Sequence, residues 1–164
     1  MANAAIPAKQ NGKWGLLDGS GSEWIVPNEY DAIITDSLGR AYFRNAVFVR
    51  SGDEVKLIVD GEFVGETYED AKPFVDSMAA VKKNGKWGFI DIRGNIRIEC
   101  QFDDALSFSG HLAAVKQGDN WGYITFSGDM VIEPVFLEAK NFFEGSAPVK
   151  TEDGWQFITL LEYM

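Results

Sequence analysis

Few side chains in this sequence have chemistry to offer. His111 is the only histidine and Cys100 the only cysteine among 164 residues. Carboxylates recur in pairs, Glu69–Asp70 and Asp103–Asp104, with a lone Glu138 in the corresponding place. Cations recur as well: Lys9, Arg50, Lys82, Lys116 and Lys150 each follow an alanine or a valine. Adjacent acids raise calcium binding and glycoside hydrolysis as options. A histidine raises acid–base catalysis, and a row of cations raises recognition of an acidic partner.

Each option has requirements. A catalytic histidine needs a nucleophile and an orienting acid within reach. No motif places them near His111, which sits beside Gly110 and reads as a loop residue. Calcium takes about six to eight oxygens, supplied by a dedicated loop, and no such loop motif is present. A glycosidase sets two carboxylates at a fixed separation across a cleft, whereas these acids are adjacent and recur at one slot. That recurrence points to a structural task, capping a connector turn or pairing with a nearby cation. Cys100 takes the slot filled by Pro134 further along and by Pro27 earlier, and reads as a buried or half-buried strand residue. A reactive thiol would need a positive surrounding. "DGSGSE" (Asp18 to Glu23) lacks the lysine and Ser/Thr of a phosphate loop and reads as a hairpin turn. No Cys/His cluster suits zinc, so neither a metal nor a cofactor is expected, and no residue is assigned a catalytic role. Two readings of the cation row stand: a stripe for an acidic partner, or cations paired with connector carboxylates or laid over tryptophan faces. The second is preferred, because repeats inherit such pairs.

The elements that position these residues follow from an internal period. Trp87, Trp121 and Trp155 are 34 residues apart, as are Val81, Val115 and Val149. Phe74, Phe108 and Phe142 keep the interval, and so do Ala71, Ala105 and Ala139. Such a period is the signature of a repeat architecture. Around Val55 the template returns with two residues deleted; around Trp14 it is longer and less regular. Units are expected at about 7–46, 47–78, 79–112, 113–146 and a partial 147–164, together forming a single repeat domain.

Within a unit the grammar is β. "AAVKK" reads as a strand and "NGK" as an Asn-Gly turn accepting positive φ. "WGFIDI" reads as a second strand, and "IRIEC", after the turn "RGN", as a third. The connector "QFDDALSFSGHL" has room for one helical turn at most. The expected fold is therefore all-β: tandem three-stranded antiparallel meanders of about 34 residues. In each "WG" the ring and the glycine point to opposite faces, and the glycine lets a neighbouring backbone or ring approach. The structural repeat positions are Trp14, Gly15, Trp87, Gly88, Trp121, Gly122 and Trp155. Trp14, Trp87 and Trp121 are expected to be largely buried, with Trp155 more exposed.

The pattern Ala-Pro/Ala-Val-Lys, Gly-Lys-Trp-Gly-Phe-Ile-Asp, Ile-Glu-Pro and Phe/Tyr-Asp-Asp-Ala resembles the WG-repeat (KWG-repeat) family. The resemblance covers nearly the whole chain. It is strong around Trp87 and Trp121, good around Trp14, degenerate around Val55 and truncated around Trp155. It implies a mostly bacterial repeat scaffold, acting as an interaction module with no active site to transfer.

Composition bounds the rest. Hydrophobic residues make up 46% and aromatics 13%, enough for a substantial core. The net charge of −10 opposes binding to nucleic acid and to anionic membranes. No apolar run approaches the roughly 18 residues of a spanning helix, and "MANAAIPAKQ" lacks the pattern of a signal peptide. A soluble, cytoplasmic protein is expected. The function expected is a non-catalytic scaffold for protein–protein interaction. A glycan- or cell-wall-binding module with exposed tryptophans is the alternative, and a small hydrolase using the paired acids comes third. The last unit lacks a third strand, so an open curved array is expected rather than a closed, propeller-like ring. Its free sheet edge would be available to a partner or to a second copy.

Overall fold

The computed structural model describes residues 5–40 and 45–163. Strands β1 (Ile6–Gln10), β2 (Lys13–Leu17) and β3 (Trp24–Tyr30) form a first antiparallel sheet. The second sheet holds β4 (Ala32–Ile33), β5 (Ala46–Ser51), β6 (Glu54–Val59) and β7 (Glu62–Tyr68). The third holds β8 (Asp70–Ala71), β9 (Met78–Lys83), β10 (Lys86–Asp91) and β11 (Ile96–Phe102). The fourth repeats it with β12 (Asp104–Ala105), β13 (Ala113–Gln117), β14 (Asn120–Ile124) and β15 (Met130–Phe136). The fifth has β16 (Glu138–Ala139), β17 (Ser146–Thr151) and β18 (Gly154–Thr159), followed by a 3-10 turn at Leu160–Tyr163. Among the described residues no helix is long and apolar enough to cross a membrane.

The three-stranded meander is present in the first four sheets. Among the described residues the connector contains no helical turn. It begins as a two-residue strand that pairs with the first strand of the next meander: Asp70↔Lys82, Asp104↔Lys116 and Glu138↔Lys150. Flanking backbone bonds reinforce it, Asp103 N–H to Lys116 O at 2.9 Å and Leu106 N–H to Ala114 O at 2.9 Å. Each sheet after the first thus takes its outermost short strand from the preceding repeat. A small unit that cannot bury its own faces is clamped to its neighbour in this way.

Turn chemistry fixes the hairpins. Asn84 and Gly85 have φ of 53° and 78°, the paired positive values of a type I′ turn. A second tight turn closes each of the later three connectors. Gly110 and His111 sit there with φ of 59° and 68°, between the bridged pair Ser109 and Leu112. His111 is therefore the second residue of a type I′ turn, and it is exposed.

The core consists of four apolar clusters, one at each junction between sheets. At the third junction Trp87, Phe89, Ile98, Phe102 and Phe108 pack on Ala113, Val115 and Ile124 of the next sheet. At the fourth, Tyr123, Ile132, Phe136 and Phe142 pack on Ala147, Val149 and Ile158. The alternation of a strand explains the layout: Trp87 and Phe89 face forward, while Ile90 faces back toward Phe48, Leu57 and Phe74. Large and small residues trade places across the central pair. Ala80 lies opposite Phe89 and Ala114 opposite Tyr123, but Phe48 lies opposite Leu57. Whichever strand supplies the ring, it meets the connector phenylalanine: Phe48–Phe74 at 5.3 Å, Phe89–Phe108 at 4.8 Å and Tyr123–Phe142 at 4.8 Å.

Trp87 is buried at 7% exposure, and Trp155 is 50% exposed, as expected. Trp14 and Trp121 are only half-buried, which corrects the expectation of a uniformly buried column. The preceding connectors differ at the position that overlies the ring. Lys72 extends over the Trp87 ring at 5.0 Å. At the equivalent place before Trp121 stands Leu106. Val55, in the tryptophan slot of the second sheet, is fully buried.

The array is open. Met1 and Met164 lie outside the described residues, but β1 and β18 belong to separate sheets.

Candidate functional site

The glycine of each "WG" meets backbone. A Cβ on Gly88 would lie 2.5 Å from Ile98 O and 2.7 Å from Cys100 N. At Gly15 the nearest atom is Val26 O at 2.4 Å, and at Gly122 it is Ile132 O at 2.4 Å. In all three the third strand bulges across the glycine: Trp87 pairs with Phe102, yet Phe89 pairs with Ile98. Two extra residues are accommodated there, a β-bulge that only a residue without a side chain tolerates. The second sheet has Lys56 at this position and solves the problem differently. Lys56 pairs with Thr67, Leu57 pairs with Val64, and the irregularity moves to Gly65, whose φ is 77°. The bulge also fixes equivalences. Asn28, rather than Pro27, stands where Cys100 and Pro134 do, because Tyr30, Phe102 and Phe136 all pair with the slot tryptophans.

The acidic pairs divide their work. Asp103 accepts the Gly118 N–H at 2.7 Å and the Lys86 ammonium, Asp31 accepts the Gly52 N–H at 2.7 Å and the Lys13 ammonium, and Glu69 accepts the Gly85 N–H at 3.1 Å. The first acid of each pair, and the single Asp31 in the same place before β4, therefore staples the hairpin turn of the following sheet. The hydrogen bond from Lys86, then that from Gly118, holds the Asp103 carboxyl below its ordinary range; Lys13 and Gly52 do the same for Asp31. The second acid turns inward on its own strand: Asp70 accepts the Ala71 N–H and Asp104 the Ala105 N–H, each at 2.8 Å. In the fifth sheet Leu137 replaces the stapling acid, and Thr151 Oγ1 accepts the Asp153 N–H at 3.2 Å instead.

The cation row is mixed. Arg50 pairs with Asp70 at 2.9 Å and Lys150 with Glu138 at 3.6 Å. Lys9 is exposed, and among the described residues Lys82 and Lys116 make no salt bridge. Two of the tryptophans take a lysine from elsewhere over the ring. Lys72 lies over Trp87 and Lys140 over Trp155, at 5.0 Å and 5.8 Å. These lysines follow the connector alanine at the repeat interval, a signal the sequence carried but which becomes visible only when the connector is seen to be a strand.

His111 borders an open groove of about 520 Å³ whose walls are mainly Leu112, Phe126, Val131 and Leu160; among the described residues no carboxylate lines it. Cys100 is half-buried, its thiol directed at Val81 O at 3.8 Å, and burial pushes its pKa up. Among the described residues no group of three or more His, Cys, Asp or Glu side chains is placed to hold a metal.

The fifth sheet differs from the rest. Trp155 and Phe157 occupy the places of Trp87 and Phe89, which are 7% and 0% exposed, but are themselves 50% and 74% exposed. Beyond β18 no third strand is present among the described residues, and Gln156 replaces the glycine. A free strand edge beside an aromatic face is the arrangement best suited to engage another molecule.

Clamped four-stranded antiparallel sheets stacked face to face define a propeller-like β-repeat protein. Residues 60–87, 87–121 and 121–155 match the WG containing repeat model as three consecutive repeats. Together they span more than half the chain, which therefore belongs to the WG containing repeat family. Among solved structures the chain is similar to the β-propeller-like Hsv2 of Kluyveromyces lactis. The match has TM-score 0.58 and 10% identity over 98% of this chain and 60% of that one. KlHsv2 with loop 6CD replaced by a Gly-Ser linker gives TM-score 0.62 and 11% identity over 99% and 62%. The chain thus spans about three fifths of the Hsv2 structures. Comparison with curated proteins gives no match.

Proposed function

We propose that this chain is a non-catalytic scaffold that engages a protein partner through its fifth sheet. The observation that carries the reading is the open aromatic face at Trp155 and Phe157, at positions that the third sheet buries with Trp87 and Phe89. A contact there extends a pattern the molecule already uses at three junctions, aromatic face against small apolar face. The hydrogen bonding of Asp31, Glu69 and Asp103 into hairpin turns supports a structural role for the acids over a hydrolytic one. The net charge of −10 favours partners other than nucleic acid and anionic membranes.

A second reading also draws on the aromatic pair. Two rings side by side on one exposed face could stack on sugar rings, as a glycan-binding module requires. Affinity capture from native cells, comparing the wild-type chain with a Trp155→Ala/Phe157→Asp variant, separates the two. A defined protein retained by the wild type and lost by the variant is the expected result. A partner captured equally by both would refute docking on the fifth sheet. Capture of oligosaccharide alone, abolished by the same variant, would favour the second reading.

A further inference from the structure

The other sheets specify what would complete the fifth. In each of the first four, the third strand sets an aromatic opposite the tryptophan slot: Tyr30 against Trp14, Tyr68 against Val55, Phe102 against Trp87 and Phe136 against Trp121. Two strand types achieve this. The bulged type, as in "IRIECQF" and "MVIEPVF", requires glycine on the second strand, because its carbonyl would lie 2.4–2.5 Å from any Cβ there. The type in β7, "EFVGETY", accepts a side chain, since Lys56 pairs in register with Thr67 and the irregularity falls on Gly65.

β18 carries Gln156 at this position, so it excludes the first type and accepts the second. Its edge is also correctly presented. Phe157 lies opposite Pro148, which has no N–H and whose carbonyl accepts from Lys140 N–H at 3.0 Å. The alternation of an antiparallel ladder then turns the backbone groups of Trp155 and Phe157 outward.

Building on the scaffold reading above, we propose that the β18 edge takes an extended peptide segment from a partner protein by antiparallel strand addition. The segment has the β7 pattern: an apolar pair, a glycine two or three residues before its end, and a terminal aromatic. The glycine lies at the bulge, the terminal aromatic opposite Trp155 and a β-branched residue opposite Phe157. A segment of the Ile-Glu-Pro-x-Phe kind is rejected by Gln156.

The test uses two fluorescently labelled synthetic peptides, Glu62–Tyr68 and Met130–Phe136, titrated into the whole chain by fluorescence anisotropy. The β7 peptide is expected to bind at least about tenfold tighter than the β15 peptide, the usual consequence of forcing one overpacked contact. Gln156→Gly should raise the affinity for the β15 peptide and erase most of that difference. Phe157→Pro, which removes an outward donor at an edge position that tolerates proline, should abolish binding of both. Equal affinities in the wild type, no binding by either peptide, or a preference unmoved by Gln156→Gly would overturn the proposal. β7-peptide binding that survives Phe157→Pro would also overturn it, since the peptide would then be displacing the chain's own β7. A native partner lost on Trp155→Ala/Phe157→Asp but retained by Phe157→Pro would leave the scaffold reading standing while this inference fails.

Discussion

Replacing Gly88 by alanine tests the packing logic most directly. The new methyl carbon would lie 2.5 Å from Ile98 O and 2.7 Å from both Cys100 N and Glu99 C, where ordinary contact begins at 3.4 Å. All three are backbone atoms, so no side chain can swing aside. The third strand must withdraw by roughly 0.9 Å, enough to stretch ladder hydrogen bonds of about 2.9 Å beyond useful length. Overpacking with weakened bonds should cost about 2–3 kcal/mol. At about 2–4 °C per kcal/mol for a chain of this size, Tm should fall by roughly 4–12 °C. An unhindered glycine-to-alanine change would instead stabilise by about 0.4–1 kcal/mol, so the sign alone decides. The fifth sheet provides the control. With no third strand beside it, Gln156→Ala should stay within about 0.5 kcal/mol. Scanning calorimetry on both variants makes the measurement. A Gly88→Ala chain that melts at or above the wild-type temperature would refute the close-approach account.

Two further outcomes follow from the same geometry. Trp87→Ala should cost about 3–5 kcal/mol, the range for truncating a buried aromatic, while Trp155→Ala at 50% exposure should cost well under half as much; denaturant midpoints of the two variants compare them. The carboxyls of Asp31 and Asp103 titrate lower in the folded chain than when free. Their contribution is therefore complete above the unfolded value near 4 and is lost as pH falls through the lower folded value. Asp103→Asn should flatten the dependence of Tm on pH below about 4, and an acid limb identical to wild type would show that the carboxylate staple contributes nothing.

The sequence by itself determined whatever depends on near neighbours. The period of 34 gave the repeat, because Trp87, Trp121 and Trp155 recur regardless of how units stack. Asn84–Gly85 declared its turn because positive φ is a local demand, and the alternation in "WGFID" gave the strand. The fate of Trp155 was legible too, since its unit visibly lacked a third strand.

Tertiary structure decided what depends on which repeat touches which. Asp104–Ala105 forms a strand only because β13 lies alongside to pair with it; two residues have no strand preference of their own. The first acid of each pair finds its partner in the next hairpin, as Asp103 finds Gly118, 15 residues away and across the β12–β13 pairing. Trp87 is buried while Trp121 is only half-buried, a difference between two copies of one pattern that arises where units meet. The glycine of the "WG" pair likewise read as a spacer of unknown neighbour. Its reason, a bulged carbonyl 2.4–2.5 Å from the missing Cβ, appears only when the third strand folds back across it. Periodicity and turns are written in consecutive residues, whereas clamping, face burial and register arise where separate repeats meet and exclude water together.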